Sequence, residues 1–279
     1  MRKLPLPTDD PSHVFLTCIS RVADQAFKAR LTAIEPDIVS ASTNYRAAGV
    51  TATFHTIIAQ THVGAQITAE EMSKVYDYRM AKKGAPGRPT YDKLKTTSPQ
   101  GRCPLCGQRD VSTLDHYLPK MQHPALAVTP ANLVPACPQC NKVKLGFTPT
   151  GAGQQTLHPY FDDVDGIQWL RAALVPNIRA LHFFAAPPET TPPLLAGRIR
   201  FHFQKFELAT LYASHSASQL ENMKGYLAVL YSRATMAGVR QHLQEMAGSC
   251  RAIHLNSWET VMYETVALSD WFCDGGFSQ

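Results

Sequence analysis

Two Cys-x-x-Cys pairs, Cys103–Cys106 and Cys137–Cys140, stand with 30 residues between them. A chain that brings four thiolates to one tetrahedral ion has few conformations open to it, so these pairs constrain the fold of everything between them. Polar turn residues, Gly107-Gln108 and Asn141-Lys142, follow each pair, and no βαβ pattern surrounds them to suggest a thioredoxin-type redox site. The start Met1-Arg2-Lys3-Leu4-Pro5 lacks the apolar run of a secretory signal, and no stretch approaches the ~18 apolar residues of a membrane span. A cytoplasmic protein is expected, and in a reducing cytoplasm such pairs are metal ligands sooner than disulfides. The spacing predicts one structural Zn²⁺ held by Cys103, Cys106, Cys137 and Cys140. A closed four-cysteine site has no open coordination position, so this zinc should hold the fold and take no part in chemistry. Cys18, Cys250 and Cys273 stand singly in apolar or helical contexts and read as packed thiols.

The cysteine region is embedded in a longer chain. At 279 residues with 44% hydrophobic content, the sequence can bury a full core without covalent staples. Residues 10–84 read as helical. Asp10 and Pro11 form a helix start, Val14, Phe15, Cys18, Ile19, Val22 and Leu31 recur at helical spacing, and Thr68 with Glu71 is a capping box. A Gly/Pro-rich break over 84–89 and a short helix around Tyr91–Thr97 lead into Cys103. Residues 101–163 are poor in helix formers, and their one expected helix starts near Cys140. Further on, Ile199, Phe201 and Phe203 alternate with polar residues, which predicts a strand, and Ala173–Phe184 is its expected partner. Two helices should follow, one through Leu220, Met223, Leu227, Leu230 and Leu243, the other through Trp258, Met262, Val266 and Trp271. The expected class is α+β and mainly helical. Three regions are drawn: a helical 1–98, the zinc-organised 99–163, and 164–279 built of a hairpin plus helices.

Charge is unevenly placed. Residues 73–144 hold 12 Lys/Arg against 4 Asp/Glu, while the rest of the chain holds 15 against 18. A basic excess around the cysteine pairs is the footprint expected for a phosphate-backbone ligand, and equally that of a solvated lysine-rich surface. Between the pairs lie groups suited to phosphodiester hydrolysis. A neutral imidazole at His116 suits water activation, and the carboxylate of Asp115 suits a hard cation. Asn141, directly after Cys140, offers an amide oxygen whose position the zinc fixes through one peptide bond. Asn132, in a turn-forming neighbourhood, is placed to cross-brace a loop. Taken singly, each is an ordinary surface pair, turn former or cap.

Together, Cys103-Pro104-Leu105-Cys106, Asp115-His116, Asn132 and Cys137-Pro138-Gln139-Cys140-Asn141-Lys142 resemble the HNH endonuclease family, the ββα-metal fold, over roughly residues 100–147. The resemblance implies that His116 is the general base and that Asp115 and Asn141 hold a catalytic divalent metal. It further implies that Asn132 ties the loop between two strands so that His116 is oriented. Asn141 stands where the family often has its last histidine. Together with Leu145 in place of a further histidine, this favours Mg²⁺ or Mn²⁺ on few protein ligands over a histidine-rich zinc or nickel site. Lys120, Lys142 and Lys144 are candidate phosphate contacts, and Arg79, Lys82, Lys83 and Arg88 a candidate DNA-tracking surface. His123 and His158 read as a turn residue and a packed loop residue.

The flanks, Leu157-His158-Pro159-Tyr160-Phe161-Asp162 and Asp270-Trp271-Phe272-Cys273-Asp274 among them, look similar to a bacterial subgroup of stand-alone HNH proteins, the PtuB nucleases of Septu-type anti-phage systems. That resemblance implies DNA as substrate and a PtuA-like ATPase of ABC/AAA type as partner in a hetero-oligomer, gating the nuclease. Two rivals stay open: an HNH nuclease acting on RNA such as tRNA, and a non-catalytic zinc-ribbon nucleic-acid-binding protein.

Overall fold

The computed structural model describes residues 1–175 and 178–279 and divides them into two compact units, Met1–Asp163 and Val164–Gln279. The first unit begins with α1 (Pro11–Ile19), α2 (Gln25–Ala33) and α3 (Glu35–Thr51). Asp10 caps α1 by accepting from the His13 N–H at 2.7 Å, with Pro11 at the first helical position, where its missing N–H costs nothing. The helical reading of residues 10–84 is broken after α3. Ala52 turns left-handed, and a two-residue hairpin, β1 (His62–Val63) with β2 (Ile67–Thr68), intervenes. Thr68 and Glu71 then form both bonds of the expected capping box and open α4 (Ala69–Val75). The helix continues as a π turn over Tyr76–Ala81 before α5 (Arg88–Lys95).

The cysteine region packs within this same unit. Strand β3 (Thr113–His116) pairs antiparallel with β4 (Leu133–Ala136), His116 opposite Leu133, and α6 (Pro138–Lys144) follows. Leu114, Ala125, Ala127, Val128 and Leu133 share one apolar core with Phe15, Ile38, Met72, Met80 and Leu94 of the helices. The ββα element therefore borrows its core from the helices before it, and those helices bury their apolar faces on it. Cys18 lies in this core, and burial pushes its thiol up to about 12, as a packed, inert cysteine.

The second unit opens with an antiparallel hairpin, β5 (Leu170–Leu174) and β6 (Leu181–Ala185), followed by α7 (Pro193–Lys205), α8 (Leu208–Ile253), α9 (Trp258–Ala267) and α10 (Asp270–Cys273). The expected partner segment Ala173–Phe184 is thus split across two strands that pair with each other, and its Pro176 and Asn177 lie outside the described residues. The strand expected at Ile199–Phe203 is helix. Ala196, Ile199, Phe203 and Phe206 are buried at spacings of three and four, a helical face that outweighs the local two-residue alternation. Pro193 starts that helix as Pro11 starts α1. α8 reverses at Thr235 (φ 57°, ψ −165°), so that the rings of Tyr226 and His242 come within 4.9 Å. Sixteen residues of unbroken helix would hold them ~24 Å apart. Ser269 caps α10 and separates it from α9, dividing the single helix expected through Trp271. Asn256 accepts from the Trp169 and Leu170 N–H groups at 2.8 and 3.0 Å, tying the α8–α9 turn to the start of β5. Among the described residues no helix is long and apolar enough to cross a membrane.

Candidate active site

The four paired cysteines meet. Their Sγ atoms lie within 4.8 Å of one another, all buried, in the space a tetrahedral ion with ~2.3 Å metal–sulfur bonds needs. The first knuckle closes through a Gly107 N–H to Cys103 O bond of 2.7 Å, and Gly107 takes φ +70°, which glycine adopts without strain. In the second, the Cys140 N–H points at Cys137 Sγ at 3.4 Å, as Cys137 caps α6. Four soft donors and no open position suit a structural Zn²⁺.

β3 ends at His116. An adjacent pair on a continuing strand would face opposite ways, and the strand's end lets Asp115 and His116 line one cleft of about 380 Å³ together with Asn141, Tyr76, Lys120, Met121 and Leu145. His116 Nε2 lies 2.8 Å from Ala127 O. A carbonyl oxygen only accepts, so Nε2 carries the proton and Nδ1 keeps its lone pair. Burial, reinforced by the charges of Lys120 and Lys144, holds the imidazole down to about 3, against the raising effect of the Ala127 bond, so it is neutral at pH 7. Its ring also meets Tyr76 edge-on, 4.4 Å between centroids.

The sign of that depressed value has a measurable consequence. Between about pH 6.5 and 3 the unfolded chain binds a proton at this position that the folded chain does not, so His116 costs stability as pH falls through that window. A His116→Gln variant is expected to lose stability less steeply than the native chain between pH 7 and 5, read from urea midpoints. Parallel slopes would contradict this.

Asn132 is fully buried. Its Oδ1 accepts from the Leu118 N–H at 2.8 Å, and its Nδ2 donates to Leu118 O at 3.0 Å and Leu126 O at 3.2 Å. It braces the β3–β4 connection, one residue before the Ala127 carbonyl that holds His116. Asn132→Ala would strand the Leu118 N–H and the Leu118 carbonyl, while Leu126 O keeps the Thr129 N–H, and is expected to cost about 1–3 kcal/mol in denaturant titrations.

Asp115 and Lys144 form a buried ion pair, Nζ to Oδ2 3.2 Å, and the same ammonium donates to His116 O. Burial pushes Asp115 up to about 6, with Lys144 pulling the other way. Lys144 is therefore not the surface phosphate contact its sequence context suggests. α6 is seven residues long and turns this side chain toward β3. Lys142 is exposed, as expected of a phosphate contact. Lys120 lines the cleft, paired with Asp77 and standing 4.6 Å above the Tyr76 ring. Of the proposed tracking residues, Lys82 and Lys83 are exposed, while Arg88 pairs with Asp92 and Arg79 donates to Arg21 O. His158 is a packed residue, its Nε2 2.9 Å from Tyr45 OH, and His123 starts a 3₁₀ turn.

The donor chemistry of the cleft fits a hard divalent ion. Asp115 and Asn141 line the same opening, and a carboxylate and an amide are the oxygen donors such an ion takes. Sequence reasoning missed Tyr76 and Asp77. Both belong to the π turn, whose extra residue rotates them onto His116 and Lys120, and nothing in their residue types announces a π turn.

Residues 103–145 match the family model described as HNH endonuclease, so the chain carries an HNH endonuclease domain there. The chain is also similar to Protein ea31 of Escherichia phage lambda, 26% identical over 296 aligned residues that span 99% of this chain and all of that protein. No solved structure matches significantly.

Proposed function

We propose that this chain is a metal-dependent endonuclease that hydrolyses phosphodiester bonds of DNA. The observation that carries the reading is His116. A neutral imidazole, its proton fixed on Nε2 by Ala127 O, keeps Nδ1 unprotonated at pH 7 in a cleft shared with Asp115 and Asn141. His116 Nδ1 accepts a proton from water as the water oxygen bonds to phosphorus, and the P–O bond to the leaving oxygen breaks, that oxygen taking a proton from solvent. Asp115 and Asn141 would hold a Mg²⁺ or Mn²⁺ ion, which would supply charge neutralisation at the phosphate and the leaving oxygen. Asn132 and Tyr76 keep the imidazole in place, the first through the loop and the second through ring contact. Lys120 and Lys142 add positive charge for the phosphate backbone. One such site cuts one strand, so a double-strand break takes two sites or two visits.

The similarity of the flanks to PtuB proteins supports a role as effector of an anti-phage system, silent until an ATPase partner responds. The helices on either side of the matched HNH residues would carry such a partner.

Supercoiled plasmid and, separately, tRNA are incubated with purified chain and Mg²⁺ or Mn²⁺, with and without an ATPase encoded beside it. Plasmid nicking that falls by about two orders of magnitude or more in His116→Ala is expected. Cleavage of tRNA alone would move the substrate to RNA. No cleavage in any mixture, with zinc bound and DNA retained, would leave a binding protein. Plasmid cutting by the isolated chain as fast as with the ATPase would remove the gating.

A further inference from the structure

Two apolar side chains stand exposed on the His116 cleft. Leu145 is 68% exposed and Met121 46%, and both line it. Leu145 closes α6, its N–H bonded to Asn141 O at 2.9 Å, with φ 36° and ψ −130°. That region of backbone space is glycine territory, and a glycine follows at the very next position. The other non-glycine residues at positive φ among those described are Ala52, Gln100, Glu207 and Thr235, none of them a large apolar side chain. Leu145 thus combines two unfavourable features, a strained backbone and a leucine in water, at a position four residues after a proposed metal ligand. Exposed Lys142 lies on the same short helix, and Lys120 in the same cleft.

We propose that Leu145, seconded by Met121, is a wedge that presses into the base stack of duplex DNA beside the bond to be cut. The endonuclease would then select by deformability. This rests on the DNA-nuclease reading above. The physical basis is general: an apolar side chain inserted at a base step is repaid by its own desolvation and by the closer contact a bent duplex allows. Steps that unstack cheaply, pyrimidine–purine steps and mismatches, lose least. The backbone at the end of α6 leaves the side chain facing solvent before DNA arrives, so no rearrangement of the fold is needed to expose it. The preference arises without hydrogen-bond readout of any base.

The test uses the zinc-loaded full chain in a His116→Ala background, so that DNA stays intact. Duplexes carry 2-aminopurine at a TA step, at a mismatch, or within an A-tract. Binding is expected to raise fluorescence at least about twofold at the TA step and mismatch and little in the A-tract. Leu145→Gly should abolish the rise while its melting temperature increases, because glycine relieves the backbone. That increase separates a lost wedge from a lost fold. In the active chain, nick mapping on plasmid should show a step preference of about tenfold that Leu145→Gly flattens. Binding and cutting with no fluorescence change, or an unchanged nick pattern in Leu145→Gly, would overturn the wedge and leave the nuclease standing. Failure to bind any duplex would overturn both.

Discussion

With zinc stripped by a chelator at neutral pH, the first unit is expected to lose cooperative folding, and one zinc per chain should be recovered in the chelate. Zinc bound to small four-ligand modules contributes on the order of 10–16 kcal/mol to their folding, which exceeds the whole stability of an ordinary domain. The cysteine region has no substitute for it. Its two strands are four residues each, α6 is seven, and a two-stranded hairpin alone is marginal in water. The consequence should spread beyond residues 103–145. Leu114, Val128 and Leu133 fill the same core as Phe15, Ile38 and Met72, so releasing the hairpin uncovers the helices. Calorimetry should show the melting transition of this unit broadened and lowered with chelator, and Cys106→Ser should reproduce it. An unchanged melt after complete zinc loss would mean that the four thiols are packed and not ligating.

Lys144→Met is expected to destabilise the chain by about 3–5 kcal/mol at neutral pH, because it leaves a buried carboxylate without its counter-ion. Both partners are nearly inaccessible, and the ammonium also satisfies the His116 carbonyl. The pH dependence follows from Asp115. Its folded value already lies near 6, above the usual 3.8, so the folded chain binds the extra proton and stability falls as pH rises through that interval. Removing Lys144 raises the folded value further. The deficit of Lys144→Met relative to the native chain should therefore shrink toward pH 5.5, where Asp115 is neutralised by a proton, and be largest near pH 8. Asp115→Asn combined with Lys144→Met should recover much of the loss in a double-mutant cycle. Mn²⁺, which can replace the missing positive charge on Asp115, should raise the melting temperature of Lys144→Met more than that of the native chain. A Lys144→Met variant with native stability at pH 8 would show that the pair is solvated.

How far residue identity alone reaches is visible element by element. The cluster of four cysteines and the Asp10 and Thr68–Glu71 caps were legible because each depends on groups a few residues apart, or on a ligand chemistry that only certain side chains supply. Strand at Ile199–Phe203 was the wrong inference for a related reason. A five-residue alternation is too short to distinguish two periods, and Ala196 and Phe206 on either side settle it as a helix face. Within the cleft, sequence determined which chemical groups are present: the imidazole of His116, the carboxylate of Asp115, the amides of Gln122 and Asn141 and the ammonium of Lys120. Tertiary structure decided what each group is free to do. Packing β3 against α6 buries Lys144 on Asp115 and withdraws it from any phosphate. The carbonyl of Ala127, eleven residues beyond His116, selects the tautomer that leaves the Nδ1 lone pair free. A π turn far upstream delivers Tyr76 and Asp77 to the same cleft. These are contacts between segments distant in the chain, and neither the period nor the type of a residue encodes which distant surface it will meet.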